Sequence, residues 1–423
     1  MSELSSSINI SKGATPPGGC PMDLPNFPMA RANACPIDPP LEYAQIRNEQ
    51  PVKKVRMWDG RTSWIFTRYH DVRTVLSSPN HFSNMPGRPG YPLLSAAREA
   101  QVNSYQTFIT MDPPDHTLYR RSLTKEFTQA RIEALRPMVQ KSVDEILDAM
   151  EGQGNSADLV KALALPLPSL VVSLMLGVPY EDHAPLQEWS FQRIDLSVSP
   201  EVAKVAHKNM FDYLDRKLRE KEANPGDGAD MLSRLAIDQI LPGKLAHDDA
   251  VHMANLIYIA GHETTANQIA LGTLSLLQHP EQRKAMEADP KVMKNGVDEM
   301  LRFHTIVQYN SARVCIADIE VGGQLIRAGE GVYALLSAAD RDPAQFSEPD
   351  KFDVLRPNAR EHIAFSFGVH QCLGQPLARI ELEVVFGSLF KRFPKLMLAV
   401  PFEDLAFKRE TFVHGLYNMP VSW

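Results

Sequence analysis

Residues 247–280 read HDDAVHMANLIYIAGHETTANQIALGTLSLLQHP, and this run constrains the fold more than any other part of the chain. Acidic residues open it and Pro280 closes it, which are usual signals for the start and the end of a helix. Its apolar residues occupy nearly every face of that helix, so other elements must surround it. The sequence therefore predicts a long central helix in the core of a chain of 423 residues, 44% of them hydrophobic.

Helical patterns dominate the rest of the chain, and short strand patterns interrupt them. Helices are predicted at 115–150, near 168–176, at 183–195, at 201–223 and after Pro376, and strands within 51–77 and 312–334. No linker interrupts these patterns. The predicted fold class is mostly α with minor β-sheets. A single domain over residues 36–423 follows a Pro- and Gly-rich N-terminal arm over residues 1–35.

Charge and composition argue against several partners and locations. The formal net charge is −7 and the isoelectric point is near 6.0, so nothing favours a nucleic-acid partner. No apolar run reaches the roughly eighteen residues of a membrane span, and the polar N-terminus does not resemble a signal peptide. Cys20, Cys35, Cys315 and Cys372 are scattered without a CxxC pair. This usage favours a reducing, cytoplasmic environment.

The stretch FSFGVHQCLG, residues 365–374, places Cys372 just before a predicted helix. A thiolate is the reactive form of cysteine, and a helix N-terminus favours it. Gly368 and Gly374 allow the backbone to approach a bulky partner closely. A lone cysteine is more often a buried structural residue, and zinc is disfavoured because no other ligands lie at zinc spacing. The pattern around the cysteine decides between these interpretations.

Two further motifs accompany that loop. The central helix carries the polar cluster AGHETT at its middle. Burying polar groups in an apolar helix costs free energy, unless they have a function or are well hydrogen-bonded. The sequence EMLR puts Glu299 and Arg302 one turn apart on one helix face, where an ordinary surface ion pair is the common alternative. The segment FSEPDKFDVLR follows and ends at Arg356.

Together these motifs resemble the cytochrome P-450 family. The loop residues that carry the resemblance are Phe365, Gly368, His370, Cys372 and Gly374, followed by Leu377, Ala378 and Arg379. The resemblance implies haem b as cofactor, with the thiolate of Cys372 as the axial iron ligand. It also implies a structural network of Glu299, Arg302 and Arg356. One position departs from the family pattern, because Ser366 stands where glycine is usual.

The resemblance assigns roles to other residues as well. In AGHETT, Glu263 becomes the acid and Thr264 the hydroxyl that organise proton delivery, and Ala260 becomes a haem contact. His116, Arg120, Arg313 and His370 become partners of the haem propionates, which need cations or hydrogen-bond donors. The segments expected to line a substrate pocket are 85–106, 186–200, Ile259, 306–309, Phe412 and Val413.

The chain resembles soluble bacterial monooxygenases of the actinobacterial, xenobiotic-hydroxylating type. That implies an enzyme that activates O₂ and hydroxylates or epoxidises a medium-sized hydrophobic organic substrate. No flavin or iron–sulfur segment is left over, so electrons from NAD(P)H are expected to arrive through a separate ferredoxin or flavodoxin-type donor with its reductase. Basic candidates for docking that donor are Lys391, Arg392 and Lys395, unless they form a merely solvated face.

Two alternatives remain at this point. The chain also resembles the fungal branch that reduces nitric oxide with electrons taken directly from NADH, and Arg88 would then be a remnant of a nucleotide contact. That branch lacks an acid before the threonine, so Glu263 favours oxygen chemistry. The other alternative is a non-catalytic haem or ligand carrier, against which the pair Glu263–Thr264 argues.

Overall fold

The computed structural model of the protein describes residues 24–31, 35–95, 99, 107–194, 198–309, 311–409 and 411–423. In this part of the chain the helices are α1 (Glu42–Glu49), α2 (Tyr69–Ser77), α3 (Asp115–Thr124), α4 (Gln129–Ala134), α5 (Arg136–Gly152), α6 (Pro166–Leu176), α7 (His183–Ile194), α8 (Pro200–Ala223), α9 (Met231–Leu235), α10 (His247–Gln278), α11 (Pro280–Ala288), α12 (Pro290–His304), α13 (Leu336–Ala339) and α14 (Gln375–Arg392). The predicted, mainly helical class is confirmed.

The strands are short and form small sheets beside the helices. They are β1 (Val52–Arg56), β2 (Thr62–Phe66), β3 (Phe82–Ser83), β4 (Ser156–Asp158), β5 (Ala312–Cys315), β6 (Ile319–Val321), β7 (Gln324–Ile326), β8 (Gly331–Ala334), β9 (Met397–Leu398) and β10 (Pro420–Ser422). The largest sheet has the order β1-β2-β8-β5-β3, with β2 and β8 parallel and the other neighbours antiparallel.

The central helix α10 is buried along most of its length, as its apolar pattern predicts. Tyr258, Ile269 and Leu274 are fully buried, and helices α6, α8 and α14 pack against it. A mid-helix glycine, Gly272, lets Phe386 of α14 approach so closely that a Cβ would overlap its ring. The predicted helix at 115–150 is in fact three helices, α3 to α5, separated by a 3₁₀ turn at Lys125–Phe127 and by a break at Leu135, shortly before Pro137.

The described part of the predicted N-terminal arm packs on the large sheet. Phe27 is 3% exposed, and its ring lies 4.7 Å from that of Tyr333 of β8. Arg31 is buried, and its Nε donates to Oε1 of Gln308 at 2.8 Å. Packing therefore begins before the predicted boundary at residue 35, because apolar residues between the prolines reach the core. No helix in the described ranges is long and apolar enough to cross a membrane.

Candidate active site

The loop that carries Cys372 is held by its own backbone. The N–H of Cys372 donates to the carbonyl of Phe365 at 2.8 Å, which closes the loop just before α14 begins at Gln375. Gly368 has φ +74°, and a Cβ there would collide with the carbonyl of Leu76 at the end of α2. Only glycine meets both conditions at little cost. The loop therefore presents the sulfur from a fixed turn.

Burial and nearby donors have opposite effects on the pKa of the Cys372 thiol. Burial raises the pKa of the thiol above its ordinary value, whereas the backbone N–H groups of Gly374 and Gln375 and the charges of Arg120 and Arg379 act in the opposite direction. Protein atoms surround the Cys372 thiol, but its side chain keeps accessible surface. The side chain therefore faces a cleft in the interior. A helix N-terminus and two guanidinium groups thus support a thiolate once a cation is bound to it.

Ser366, the departure from the family pattern, adopts a glycine-like conformation. Its φ is +62°, in the left-handed region that side chains with a Cβ rarely adopt. Its N–H donates to the carbonyl of Ile363 at 2.8 Å, so the turn is formed despite the side chain. The serine therefore keeps the loop geometry at a cost in backbone strain.

A cluster that sequence reasoning missed supports Phe365. The guanidinium of Arg379 lies 4.8 Å from the centre of the Phe365 ring, and its Nε donates to Oδ1 of Asp298 at 2.8 Å. The Nε2 of His362 lies 3.4 Å from the same Oδ1, and its ring is 5.6 Å from that of Phe365. The LAR sequence after the cysteine was a usable signal for Arg379. Nothing local points to Asp298.

The residues predicted to face haem propionates come together. The rings of His116 and His370 lie 4.2 Å apart, and Nη2 of Arg120 donates to the carbonyl of Gln371 at 2.6 Å. Arg313 is buried, and its Nη1 donates to Oδ1 of Asn84 at 2.6 Å. Burial, together with the charges of Arg313, His116 and Arg120, lowers the pKa of His370 to about 2.

Little negative charge balances the basic cluster of His116, Arg120, Arg313 and His370. Both ring nitrogens of His116 are buried and have no hydrogen-bond partner among the described residues, and burial and Arg120 lower the pKa of His116 to about 4. Asp112, the acid beside the cluster, already accepts bonds from the hydroxyl of Ser83 and the N–H of Asn84. A buried set of cations and imidazoles with spare donor capacity fits an anionic ligand.

One side of the central helix opens to the interior at AGHETT. Ala260 is exposed and Thr264 is half-buried, although Tyr258 and His262 on the same helix are fully buried. The hydroxyl of Thr264 donates to the carbonyl of Ala260 at 2.6 Å. That bond competes with the helix ladder for the same carbonyl. The exposed side chains therefore line an interior surface.

Glu263 is buried beside Thr264 and is ion-paired. Its Oε1 lies 2.6 Å from Nζ of Lys408 and accepts from Nδ2 of Asn267 at 2.9 Å. Its Oε2 is buried and has no partner in the part of the chain that the structure describes. Neither Lys408 nor Asn267 was predicted. Asn267 follows Glu263 by one helical turn and could have been noticed, but Lys408 is 145 residues away.

The predicted network of Glu299, Arg302 and Arg356 forms as expected. Arg302 donates to both carboxylate oxygens of Glu299, at 2.7 and 2.9 Å, and Nε of Arg356 donates to the same oxygens at 3.0 and 3.1 Å. All three side chains are buried, and the remaining guanidinium nitrogens reach backbone carbonyls such as those of Asp340 and Ser347. The two guanidinium groups thus share one carboxylate, and backbone carbonyls take their remaining donors.

The donor set fits a haem. Cys372 offers a sulfur on the interior cleft, His116 and the guanidiniums of Arg120 and Arg313 form a cationic cluster beside the same loop, and Ala260 adds an apolar surface on the central helix. A haem needs one axial ligand, partners for two carboxylates and an apolar surface for its ring, and these residues offer all three.

Comparison with known proteins decides the identification. The model of the cytochrome P450 family matches residues 41–404. The chain belongs to the cytochrome P450 family. Cytochrome P450-SU2 of Streptomyces griseolus is 43% identical over 403 residues, which are 95% of this chain and 98% of that protein. The vitamin D3 dihydroxylase of the same organism is 42% identical over 95% of this chain and 97% of that protein.

A solved structure agrees with this cytochrome P450 along nearly its whole length. The crystal structure of GfsF, a cytochrome P450 of Streptomyces halstedii, matches with a TM-score of 0.89 and 43% identity, over 94% of this chain and 100% of that one. The protein is a haem-dependent P450 monooxygenase, as its family and its hydroxylating relatives show. The nitric oxide alternative is not favoured, and Arg88 instead lies 3.6 Å from Asp112.

The positions expected around the P450 substrate pocket are only partly described. Residues 96–98, 100–106 and 195–197 lie outside the described ranges. Val307 pairs with Val413, and the carbonyl of Phe412 accepts from the N–H of Gln308. The amide of Gln308 is already bonded to Arg31 and to the carbonyl of Thr411, so this side chain is part of the scaffold.

The basic residues predicted to dock an electron donor differ in their availability. Lys391 and Lys395 are exposed on and after the end of α14. Arg392 is paired with Asp148 at 2.5 Å and with Glu151 at 2.9 Å, both on α5. Its charge is therefore largely neutralised locally, which makes it the weakest of the three candidates.

Proposed function

We propose that this P450 binds haem b through Cys372 and uses Glu263 and Thr264 to deliver protons for the oxidation of a hydrophobic organic substrate. The bound haem would supply the oxygen-activating chemistry. His116, Arg120, Arg313 and His370 would hold its propionates, and Ala260, Phe365, Gly368 and Gly374 would shape its surroundings. The supporting geometry is the exposed thiol and the basic cluster.

The observation that carries the proton-delivery role is the setting of Glu263. A carboxylate in the middle of a buried helix is expensive to keep, and here Lys408 offsets that cost with an ion pair at 2.6 Å. Thr264, the next residue, is half-buried on the side of the helix that opens to the interior. An acid beside a hydroxyl at such a surface is the arrangement that general acid catalysis needs.

Electrons are proposed to come from NAD(P)H through a ferredoxin or flavodoxin-type protein with its reductase. Two described cations are candidates for contact with this donor. Arg73 of α2 stacks at 4.1 Å on the ring of Phe367 in the thiolate loop. Arg121 is exposed on α3, the helix whose Arg120 donates to the carbonyl of Gln371 in the same loop. Leu118, 60% exposed on the same helix, adds an apolar contact. An acidic partner would meet this surface, and the exposed Lys391 and Lys395 are further candidates for contact with it. The three described cysteines are unpaired, which supports a cytoplasmic setting.

A medium-sized, hydrophobic molecule is the proposed substrate. Ile259, Val307, Phe412 and Val413 are partly buried and apolar in character, and polar side chains near them are engaged within the protein. A relative of similar length is named for the dihydroxylation of vitamin D3, a molecule of that class. Such a surface selects by shape and apolar area, so we expect hydroxylation or epoxidation of several related compounds.

The test compares product and hydrogen peroxide formed per electron in the parent, Glu263→Gln and Thr264→Ala. Glu263→Gln should slow oxygen-dependent turnover, and Thr264→Ala should keep consuming NADH or NADPH while diverting electrons to peroxide. The parent should consume no nitric oxide with NADH alone. Unchanged coupling in both variants, together with fast partner-free nitric oxide reduction, would refute the proposal.

A further inference from the structure

Lys408 is a buried lysine with one carboxylate partner. Its side chain is 6% exposed, and its Nζ lies 2.6 Å from Oε1 of Glu263. It lies 5.7 Å over the ring of Tyr417, and no second hydrogen bond of Nζ occurs within the described ranges. A buried ammonium needs a paired charge. The lysine is therefore committed to Glu263.

The ion pair makes the two oxygens of Glu263 unequal. Oε1 takes both the ammonium of Lys408 and the amide of Asn267, which also donates to the backbone carbonyl of Glu263 at 2.8 Å. Oε2 accepts no hydrogen bond from a described residue. With Oε1 occupied by two donors, Oε2 is the oxygen left to accept and release a proton.

The backbone of Lys408 is fixed by a hairpin that docks on the central helix. Its N–H donates to the carbonyl of Gly415 at 2.8 Å, and Phe407 pairs with Leu416. Gly415 contacts Asn267 so closely that a Cβ would overlap the amide. Phe412 and Val413, expected at the substrate pocket, belong to the same hairpin. The partner of the acid and two residues expected at the pocket thus belong to one hairpin.

We infer that Lys408 is a positioning residue for Glu263: it holds Oε1 and stabilises the negative charge, so that protons pass through Oε2. This inference rests on the proposed role of Glu263. A purely structural ion pair that only anchors the hairpin is the alternative. The two differ in what happens when the charge is removed and the hairpin stays in place, because only a positioning role then changes the protonation of Glu263.

The experiment uses the haem-loaded enzyme with its redox partners and five variants: Lys408→Met, Lys408→Arg, Glu263→Gln, Lys408→Met with Glu263→Gln, and the exposed control Lys141→Met. Infrared difference spectra report protonated carboxylic acids, and product and peroxide per electron report coupling. Lys408→Met should show a new carboxylic acid band near neutral pH that is missing from the double variant. Its coupling should fall about tenfold or more while substrate affinity stays at the parent value.

Lys408→Arg should lack the band and recover most of the coupling, and Lys141→Met should match the parent. Should Lys408→Met fail to fold, Lys408→Gln carries the same test. Parent-like coupling without a new band overturns the inference, and so does equal loss of coupling in the Met and Arg variants without a band. If Glu263→Gln itself keeps the turnover and the coupling of the parent, the proposed proton role fails first. If Glu263→Gln slows turnover or uncouples while Lys408→Met matches the parent, only the inference about Lys408 fails.

Discussion

The N–H of Cys372 donates to the carbonyl of Phe365 at 2.8 Å, across the loop that precedes α14. The ring of Phe365 is in turn packed against Arg379 and His362, which share Oδ1 of Asp298. The position of the sulfur therefore depends on residues from α12, α14 and the loop itself. These contacts orient the loop on the thiolate side, where a metal ligand needs a fixed geometry.

Arg302→Ala should lower the stability of the fold and the haem content before it alters the chemistry. Within the described ranges, the change leaves the buried Glu299 with Arg356 as its one charged partner, beside the N–H of Asp353, and breaking a buried ion group costs roughly 3–5 kcal/mol. Haem content and thermal unfolding are the measurements. The exposed control Lys141→Ala should change the free energy of unfolding by less than about 1 kcal/mol. A stable Arg302→Ala protein with full haem content would contradict the structural role.

Arg313→Gln should weaken the binding of haem more than it lowers the stability of the fold. The substitution removes a buried cation from the cluster around His370 and keeps a polar side chain near Asn84. Loss of one charge-assisted hydrogen bond predicts a haem dissociation rate about tenfold faster. Transfer of haem to an excess of apomyoglobin measures that rate. Arg313→Lys should fall between the variant and the parent, and a parent-like rate for Arg313→Gln would remove Arg313 from the haem site.

Ser366→Gly should stabilise the protein. Ser366 has φ +62°, and relief of that strain outweighs the extra freedom of glycine in the unfolded chain, for a net gain of up to about 1 kcal/mol. Urea unfolding of the haem-loaded protein measures the gain. Ser122→Gly, in the ordinary helix α3, should instead destabilise by roughly 0.5–1 kcal/mol. A loss at both positions would mean that the serine side chain makes a compensating contact.

His247 should stabilise the junction of α8 and α10 in its protonated form. Burial alone lowers the pKa of His247, but hydrogen bonds to Glu222 and Asp215 outweigh burial and raise it above 6.5. The folded state therefore holds the proton more tightly than the unfolded state. The stabilisation is complete below pH 6.5 and disappears as the pH rises through the raised pKa.

The measurement for His247 is the free energy of unfolding of the parent and of His247→Gln between pH 5.5 and about 9. The parent should be the more stable protein at the acidic end, and the difference should shrink toward the alkaline end. Added salt should reduce the difference, since the groups are partly solvated. A difference that is constant or grows with pH would contradict a raised pKa.

Local patterns predicted the helices well, because the periodicity of α10 and the proline and acidic signals at its ends are properties of neighbouring residues. The same holds for Glu299 and Arg302, which face each other across one helical turn. The residues Cys372, His116 and Arg313 were predicted through the family resemblance, since they lie far apart in the chain. Their meeting depends on the tertiary fold.

What the sequence did not reveal are long-range polar contacts. Lys408 reaches Glu263 across 145 residues, and Arg31 reaches Gln308 across 277. No periodicity links such positions, and a lysine in a C-terminal segment is usually solvated. The packing of Phe27 was missed for a related reason, because the prolines around it placed it in a Pro- and Gly-rich arm outside the predicted domain. The pattern of neighbouring residues does not predict a charge that is buried by elements distant in the chain.

The central claim is that Cys372 is the axial ligand of a haem in a P450 monooxygenase, and a carbon monoxide difference spectrum of the reduced protein tests it most directly. The parent, and a variant with Cys20, Cys35 and Cys315 all changed to serine, should show the thiolate-type band. Cys372→His should lose that band even if it still binds haem. A thiolate-type band that survives in Cys372→His, or that disappears with one of the other cysteines instead, would contradict the account.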